Sequence, residues 1–343
     1  MRVLIVGAGA VGQFLAARLT QRGHDVVVMG RPAQADALNA LGISLEAGGT
    51  RSTAQVRAVA GIDDALLRAP FELVIVAVKS YSTAEAAVTI GDIPGCDKAS
   101  ILTVQNGVGN EDLLAERFGA DRVVAGALTI AVDRTDSTAL VATAKGGLCI
   151  APVGANPHNW MLAALSSANM PVRAVGDWQS LKWSKLCINI LGNAVCAVLD
   201  WSPAQVYGDS QAFQVERACL LETIAVMSAQ HITSLNLINF PAAWLVRSAQ
   251  ALPAGLLRAF LGRRVSSGRG GKLPSLLIDL RAQREHSEVV VLNGAVALHA
   301  VKNGLSAPAN AKLTEVVTGI ASGVLDWDAW RDKPHALLES IRA

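Results

Sequence analysis

Val3-Leu4-Ile5-Val6-Gly7-Ala8-Gly9-Ala10-Val11-Gly12-Gln13-Phe14-Leu15 decides the reading of this 343-residue chain. A short glycine pattern by itself means little. Here a β-branched apolar run leads straight into Gly7-x-Gly9-x-x-Gly12, and a helical pattern carrying Phe14, Leu15 and Leu19 leads out of it. That frame is the strand, turn and helix that bind the pyrophosphate of a dinucleotide. The first glycine permits the tight turn, the second lets the backbone approach the phosphates, and the third allows helix and strand to pack closely. Unpaired amides at the helix start and the helix dipole supply the attraction. The contact loop is therefore Gly7, Ala8, Gly9, Ala10, Val11 and Gly12.

A second strand, Asp25 to Met29, should end about 20 residues beyond the glycines, where NAD-binding domains carry an acid for the ribose diol. Met29-Gly30-Arg31 occupies that place and has no carboxylate. A guanidinium fork suits a 2′-phosphate, so the expected cofactor is NADP(H), with Arg31 as its discriminator. An arginine that only ends the strand in solvent is the plain alternative.

Outward from this core, short apolar runs at Arg2 to Val6, Leu73 to Val78, Ser100 to Val104 and Arg122 to Gly126 alternate with helical patterns at Gln13 to Gln21, Thr83 to Ile90 and Asn110 to Phe118. Such alternation predicts an N-terminal Rossmann domain, an α/β fold with a doubly wound parallel sheet. Ala139 to Thr143 and Leu148 to Val153 flank Lys145, Gly146 and Gly147, which suggests an antiparallel hairpin added to that sheet. From Asp177 onward, strand signals give way to amphipathic patterns at Trp178 to Leu199, Gln211 to Gln230, Pro274 to Arg284, Ser287 to Asn303 and Asn310 to Ser322. The expected division is a cofactor domain over 1–175 and an all-α domain over 176–343. Leu256 to Lys272 holds five basic residues among four glycines, a composition that suggests a mobile connection.

Composition narrows the function classes. Thirty Lys and Arg against 28 Asp and Glu leave a net charge of +2, which argues against nucleic acid as partner. Although 51% of residues are hydrophobic, no apolar run reaches the roughly 18 residues of a membrane span. The surplus of Ala, Val and Leu suits a buried sheet and helix interfaces, with room for a homodimer contact. Cys96, Cys149, Cys187, Cys196 and Cys219 form no C-x-x-C, and the six His are scattered. Reduced structural thiols, no metal centre and a cytoplasmic location follow as expectations.

Ends of parallel strands line the ligand crevice of such a sheet. Lys79 and Asn106 follow the third and fourth of these strands, so both are candidates for the nicotinamide half, against a plain reading as a solvated Lys and a turn Asn. In the helical half Lys185, Asn189 and Asn193 fall at i, i+4 and i+8, spanning about 80° of a continuous helix. An interhelical polar network and a reactive site explain that stripe equally well. A Lys beside Trp183, Leu186 and Ile188 loses hydration, which disfavours its charged form and makes it a readier proton donor. Ser275 and Asp279 sit one turn apart after Pro274, and Glu288 stands at the head of an apolar helix, where simple complementation of the helix dipole also accounts for it.

Taken in order and spacing, Gly7-x-Gly9-x-x-Gly12, Gly30-Arg31, Val78-Lys79, Gln105-Asn106-Gly107-Val108-Gly109, Trp183-x-Lys185-Leu186-x-x-Asn189-x-x-x-Asn193, Pro274-Ser275-x-x-x-Asp279 and Glu288 before Asn293-Gly294 resemble the ketopantoate reductase family. The resemblance covers nearly the whole chain. It implies an NADPH-dependent reduction of 2-dehydropantoate, a small branched 2-oxo acid, to pantoate on the way to pantothenate and coenzyme A, in a cleft between the two domains. It also implies Lys185 as general acid, Glu288 as the carboxylate that positions Lys185 and substrate, and Lys79 near the cofactor ribose. Asn106, Asn189, Asn193 and Ser275 would hold substrate or nicotinamide. Between Asp279 and Glu288 the chain carries one residue more than the family spacing, which makes Glu285 a rival, and the 256–272 segment is longer than in compact members. A lid that attracts an anionic substrate is one reading of that segment, and a solvated loop is the other.

Three alternatives stay open: reduction of another small branched 2-oxo acid, a 3-hydroxyacid or 6-phosphogluconate type dehydrogenase, and a non-catalytic NADP(H)-sensing protein. Lys79 and the Ser275 to Asp279 pair speak against the second. A buried acid catalyst would be idle in the third.

Overall fold

The computed structural model describes residues 1–268 and 273–342, with the side chains of 264–268 outside that description. The chain forms two compact units. One comprises 1–105, 109–182 and 237–240; the other comprises 106–108, 183–236 and 241–343. The expected boundary at 175/176 lies a few residues before Lys182, where the chain leaves the first unit.

The first unit is built from β1 (Arg2–Val6), α1 (Ala10–Thr20), β2 (Asp25–Met29), α2 (Pro32–Leu41), β3 (Ile43–Ala47), β4 (Thr50–Ala54), β5 (Arg57–Val59), β6 (Leu73–Val76), α3 (Thr83–Gly91), β7 (Ser100–Thr103), α4 (Asn110–Phe118), β8 (Val123–Leu128), β9 (Val132–Arg134), β10 (Ala139–Ala142), β11 (Leu148–Pro152), α5 (Asn159–Ser166) and β12 (Val172–Ala174). Its main sheet runs β12-β11-β8-β7-β6-β1-β2-β5. The six strands from β8 to β5 are parallel, and β11 joins β8 antiparallel with Leu148 opposite Leu128. Succession reverses direction between β1 and β6, the switch point at which ligands bind in open α/β sheets. Continuous apolar runs such as Val3 to Val6 and Leu73 to Val76 are fully buried because helices cover the sheet.

The expected hairpin of 139–143 with 148–153 does not form. β10 pairs with β3 and β9 in a separate four-stranded sheet, order β4-β3-β10-β9, while β11 enters the main sheet. Burial explains the parting: Leu148 to Ala151 are buried on both faces, as an inner strand requires, whereas β10 alternates. Gly146, at φ +123°, turns the chain between the two sheets. Packing of the second sheet on α1 makes one cluster of Phe14 and Leu15 with Ile43, Leu45 and Leu140. α1 is consequently buried nearly all round, Gln13 included.

Helices make up the second unit: the end of α6 (Trp178–Asn189), then α7 (Ala194–Leu199), α8 (Pro203–Gly208), α9 (Ser210–Ala229), α10 (Ala242–Ala251), α11 (Ala254–Gly268), α12 (Ser275–Arg281), α13 (Asn293–Lys302), α14 (Pro308–Ala321) and α15 (Pro334–Arg342). Three expectations need correction here. The 178–199 pattern is two helices, parted where Gly192 takes a left-handed φ of +56°. The 287–303 pattern is a 3-10 turn, Glu288–Val291, followed by α13. Lastly, most of the supposed mobile connection is α11, anchored by Leu257 and Leu261 at i and i+4 in the core; its residues 269–272 lie outside the described ones. Among the described residues no helix is long and apolar enough to cross a membrane. All five cysteines are free and buried, and burial pushes the Cys96 and Cys187 thiols up to about 12.

Candidate active site

In the first unit, the turn after β1 has the geometry its glycines require. Gly7 sits at φ +116°, and a Cβ there would lie 2.7 Å from the Ala77 carbonyl carbon. A Cβ on Gly12 would fall 1.9 Å from the Gly7 carbonyl oxygen, so only glycine lets α1 start this close to β1. Gly9 differs: its Cβ would meet nothing within 4 Å, and as N-cap it offers no side chain to the first amides of α1. Open space before uncapped amides fits the pyrophosphate of a dinucleotide.

Two glutamines that sequence reasoning missed fix this loop. Gln13 Nε2 donates to the Ala8 carbonyl at 2.9 Å and to the Ser137 carbonyl at 2.9 Å. Gln34 Nε2 reaches the same Ala8 carbonyl at 3.3 Å, and its Oε1 accepts from the Arg31 amide at 3.4 Å. Arg31, exposed at the N-cap of α2, is thereby tied to the phosphate loop. Half-buried Lys79 follows β6 and caps a 3-10 turn. Gln105 lies two residues beyond β7, and its Nε2 donates to the Val78 carbonyl (3.0 Å) and to Thr83 Oγ1 (2.8 Å), binding the segments that follow β6 and β7 together.

The second unit gathers most of the other predicted residues. Asn189 Nδ2 donates to Asn106 Oδ1 at 3.2 Å. Asn193, beyond the break, turns back: its Nδ2 donates to the Asn189 carbonyl at 3.1 Å and its Oδ1 accepts from the Leu276 amide at 3.2 Å. Asn193 thus stitches the end of α6 to the start of α12, where exposed Ser275 is the first residue. The polar stripe survives the helix break because one side chain spans it. Glu216 of α9 stabilises the break itself by accepting from the Gly192 amide at 2.8 Å.

Glu288 is 5% exposed and opens its 3-10 turn. The turn ends against the Asn106 segment: the Val108 amide donates to the Val291 carbonyl at 3.2 Å, and a Cβ on Gly107 would lie 2.4 Å from that oxygen. The rival Glu285 is exposed. The loop before Glu288 has Gln283 left-handed, at φ +52°, and Arg284 Nη1 paired with Asp279 Oδ1 at 2.7 Å. Lys185 stands half-buried one turn before Asn189.

Residues 3–154 match the family model Ketopantoate reductase PanE/ApbA, and 177–321 match its C-terminal partner model. The 2-dehydropantoate 2-reductase of Halobacterium salinarum is 30% identical over 241 residues, covering 68% of this chain and 77% of that relative. The chain belongs to the ketopantoate reductase family. It is therefore an oxidoreductase acting on a CH–OH group, with a dinucleotide-binding domain. A solved PanE/ApbA family ketopantoate reductase from Ralstonia eutropha JMP134 superposes with a TM-score of 0.79 at 25% identity, covering 94% of this chain and 99% of that one. D-mandelate dehydrogenase, solved with NADH and anilino(oxo)acetate, shares the fold at 19% identity, with a TM-score of 0.78 over 94% of this chain and 99% of its own.

Proposed function

We propose that this family member reduces 2-dehydropantoate to pantoate with NADPH, with Lys185 as general acid. The observation that carries the reading is the polar set of the helical unit, in which Asn193 ties the helix of Lys185 and Asn189 to the N-terminus bearing Ser275, and Asn189 holds Asn106. Such a set binds a carboxylate and hydroxyl groups through neutral donors and brings one ammonium to the reacting ketone. When bound, the nicotinamide supplies a hydride to the ketone carbon. Lys185 stabilises the negative charge that builds on the ketone oxygen and donates a proton to it. Buried Glu288 orients Lys185 and the substrate hydroxyl. In the other unit the Gly7 to Gly12 loop takes the pyrophosphate, Lys79 the ribose, and Arg31 the 2′-phosphate.

NADPH oxidation by the purified protein with 2-dehydropantoate, beside a panel of other 2-oxo acids, tests this reading. Strong turnover of 2-dehydropantoate is expected. Turnover confined to another 2-oxo acid would keep the mechanism and discard the substrate. That outcome is a real alternative because the same fold serves a D-mandelate dehydrogenase. Tight NADPH binding without turnover would favour a sensor.

Cofactor choice has its own test. Arg31→Ala should weaken NADPH binding by roughly tenfold or more, the value of one charge-assisted phosphate contact, and leave NADH binding nearly unchanged. Equal effects on both cofactors would remove Arg31 from the 2′-phosphate.

A further inference from the structure

We propose that Lys182, its charge balanced by Glu111, is a positioning residue that clamps Lys185 in register with Asn106, an inference that rests on the proposed reduction. Lys182 Nζ lies 2.9 Å from Glu111 Oε1, with the two side chains 1% and 0% exposed. The same ammonium donates to the Gln105 carbonyl at 2.6 Å and lies 3.5 Å from the Gly126 carbonyl. Its hydrogen bonds thus go to two backbone carbonyls, and the Glu111 carboxylate beside it is an ion-pair partner. No hydrogen bond to the Glu111 carboxylate is found among the described residues, so its charge is balanced by Lys182.

Stability alone is a poor reason for this pair. Withdrawing two charges from water costs more than apolar side chains of the same volume would, and exchanging such pairs for apolar residues is often neutral or stabilising. Geometry offers the better reason. The carbonyl that Lys182 selects belongs to Gln105, immediately before Asn106. Lys182, Lys185 and Asn189 stand at i, i+3 and i+7 on α6 and share a face about 60° wide. At one end of that face Lys182 holds Gln105; at the other, Asn189 Nδ2 holds Asn106 Oδ1. Lys185 is bracketed between two bonds to consecutive residues. Sliding or rotating α6 against the end of β7 would break the first bond, and the amine would move with it. Lys182 itself has no place at the reacting atoms: it is fully buried, and its ammonium is engaged with backbone and carboxylate.

The test compares wild type with the double variant Lys182→Met/Glu111→Leu, which removes both charges at similar volume, and with Glu111→Gln, which leaves the Lys182 bond to Gln105 in place. Three quantities are read: NADPH Kd, kcat and KM for the best 2-oxo acid, and hydrogen–deuterium exchange over 105–109. The double variant should keep its melting temperature and NADPH Kd, lose roughly 10- to 100-fold in kcat, the scale of a small misplacement, and exchange faster at 106–108. Glu111→Gln should stay within about threefold of wild type, since the bond that sets register survives. Unchanged kcat and exchange in a folded double variant would overturn the clamp, as would equal losses in both variants. If wild type turns over no 2-oxo acid, the functional reading fails, and the exchange of 106–108 still decides whether the clamp holds that segment.

Discussion

Lys185→Ala is expected to lower kcat for the 2-oxo acid by roughly 10²- to 10⁴-fold, the range found when a positioned general acid is removed. NADPH binding should remain, because the phosphate loop lies in the other compact unit. Steady-state kinetics, with NADPH titration by fluorescence, measures both. Loss of NADPH affinity parallel to the loss of rate would instead make Lys185 a structural residue. The half-buried side chain sits one turn before an asparagine already engaged with Asn106, so truncation to Ala leaves the helix and its amide network in place.

A comparable loss is expected from Gly12→Ala, by a different cause. The new methyl group would stand 1.9 Å from the Gly7 carbonyl oxygen, a backbone atom that no rotamer change can move. Either α1 retreats from β1 or the turn opens; both spoil the amide cradle, and overpacking of this kind costs about 1–3 kcal/mol of stability. NADPH binding should fall below detection, and the melting temperature of the free protein should drop. Gly9→Ala is the control. Its methyl group would enter open space, so the free protein should melt as wild type does while dinucleotide binding weakens. Equal melting temperatures for all three proteins would show that the tight packing at Gly12 is dispensable.

What the sequence revealed followed the range of the interactions. The strand, turn and helix around Gly7 to Gly12 are local, and their boundaries emerged within a few residues. Asn189 and Lys185 were legible as a stripe on one helix. Spacing left Glu288 and Glu285 both open, and helical periodicity says nothing about the loop, with its left-handed Gln283, that precedes Glu288. The pairing of β10 was misplaced for the same reason: its partner β3 lies some hundred residues earlier, and proximity to β11 favoured the wrong hairpin. A signal for β3 and β4 did exist in Ile43-x-Leu45-x-Ala47 before Gly48-Gly49, alternation leading into a two-glycine turn. Gln13, Gln34 and Lys182 carried no signal at all, and Gln105 was legible only as part of a motif. Each acts through a backbone carbonyl of a distant element, and carbonyls have no letter in a sequence.

The second sheet has a consequence for how the first helix can change. In a two-layer sandwich of helix on sheet, a dinucleotide-binding helix keeps a watery side on which substitutions accumulate harmlessly. α1 has strands on both flanks and a glutamine bound to the turn between β9 and β10, so it has almost no neutral surface. Substitutions from Gly12 to Ala17 meet the limits of a barrel interior: a change of volume on either side must be matched by a strand, and a charge has nowhere to go. The phosphate-binding end is in this way guarded by the strands packed along the first turns of the helix.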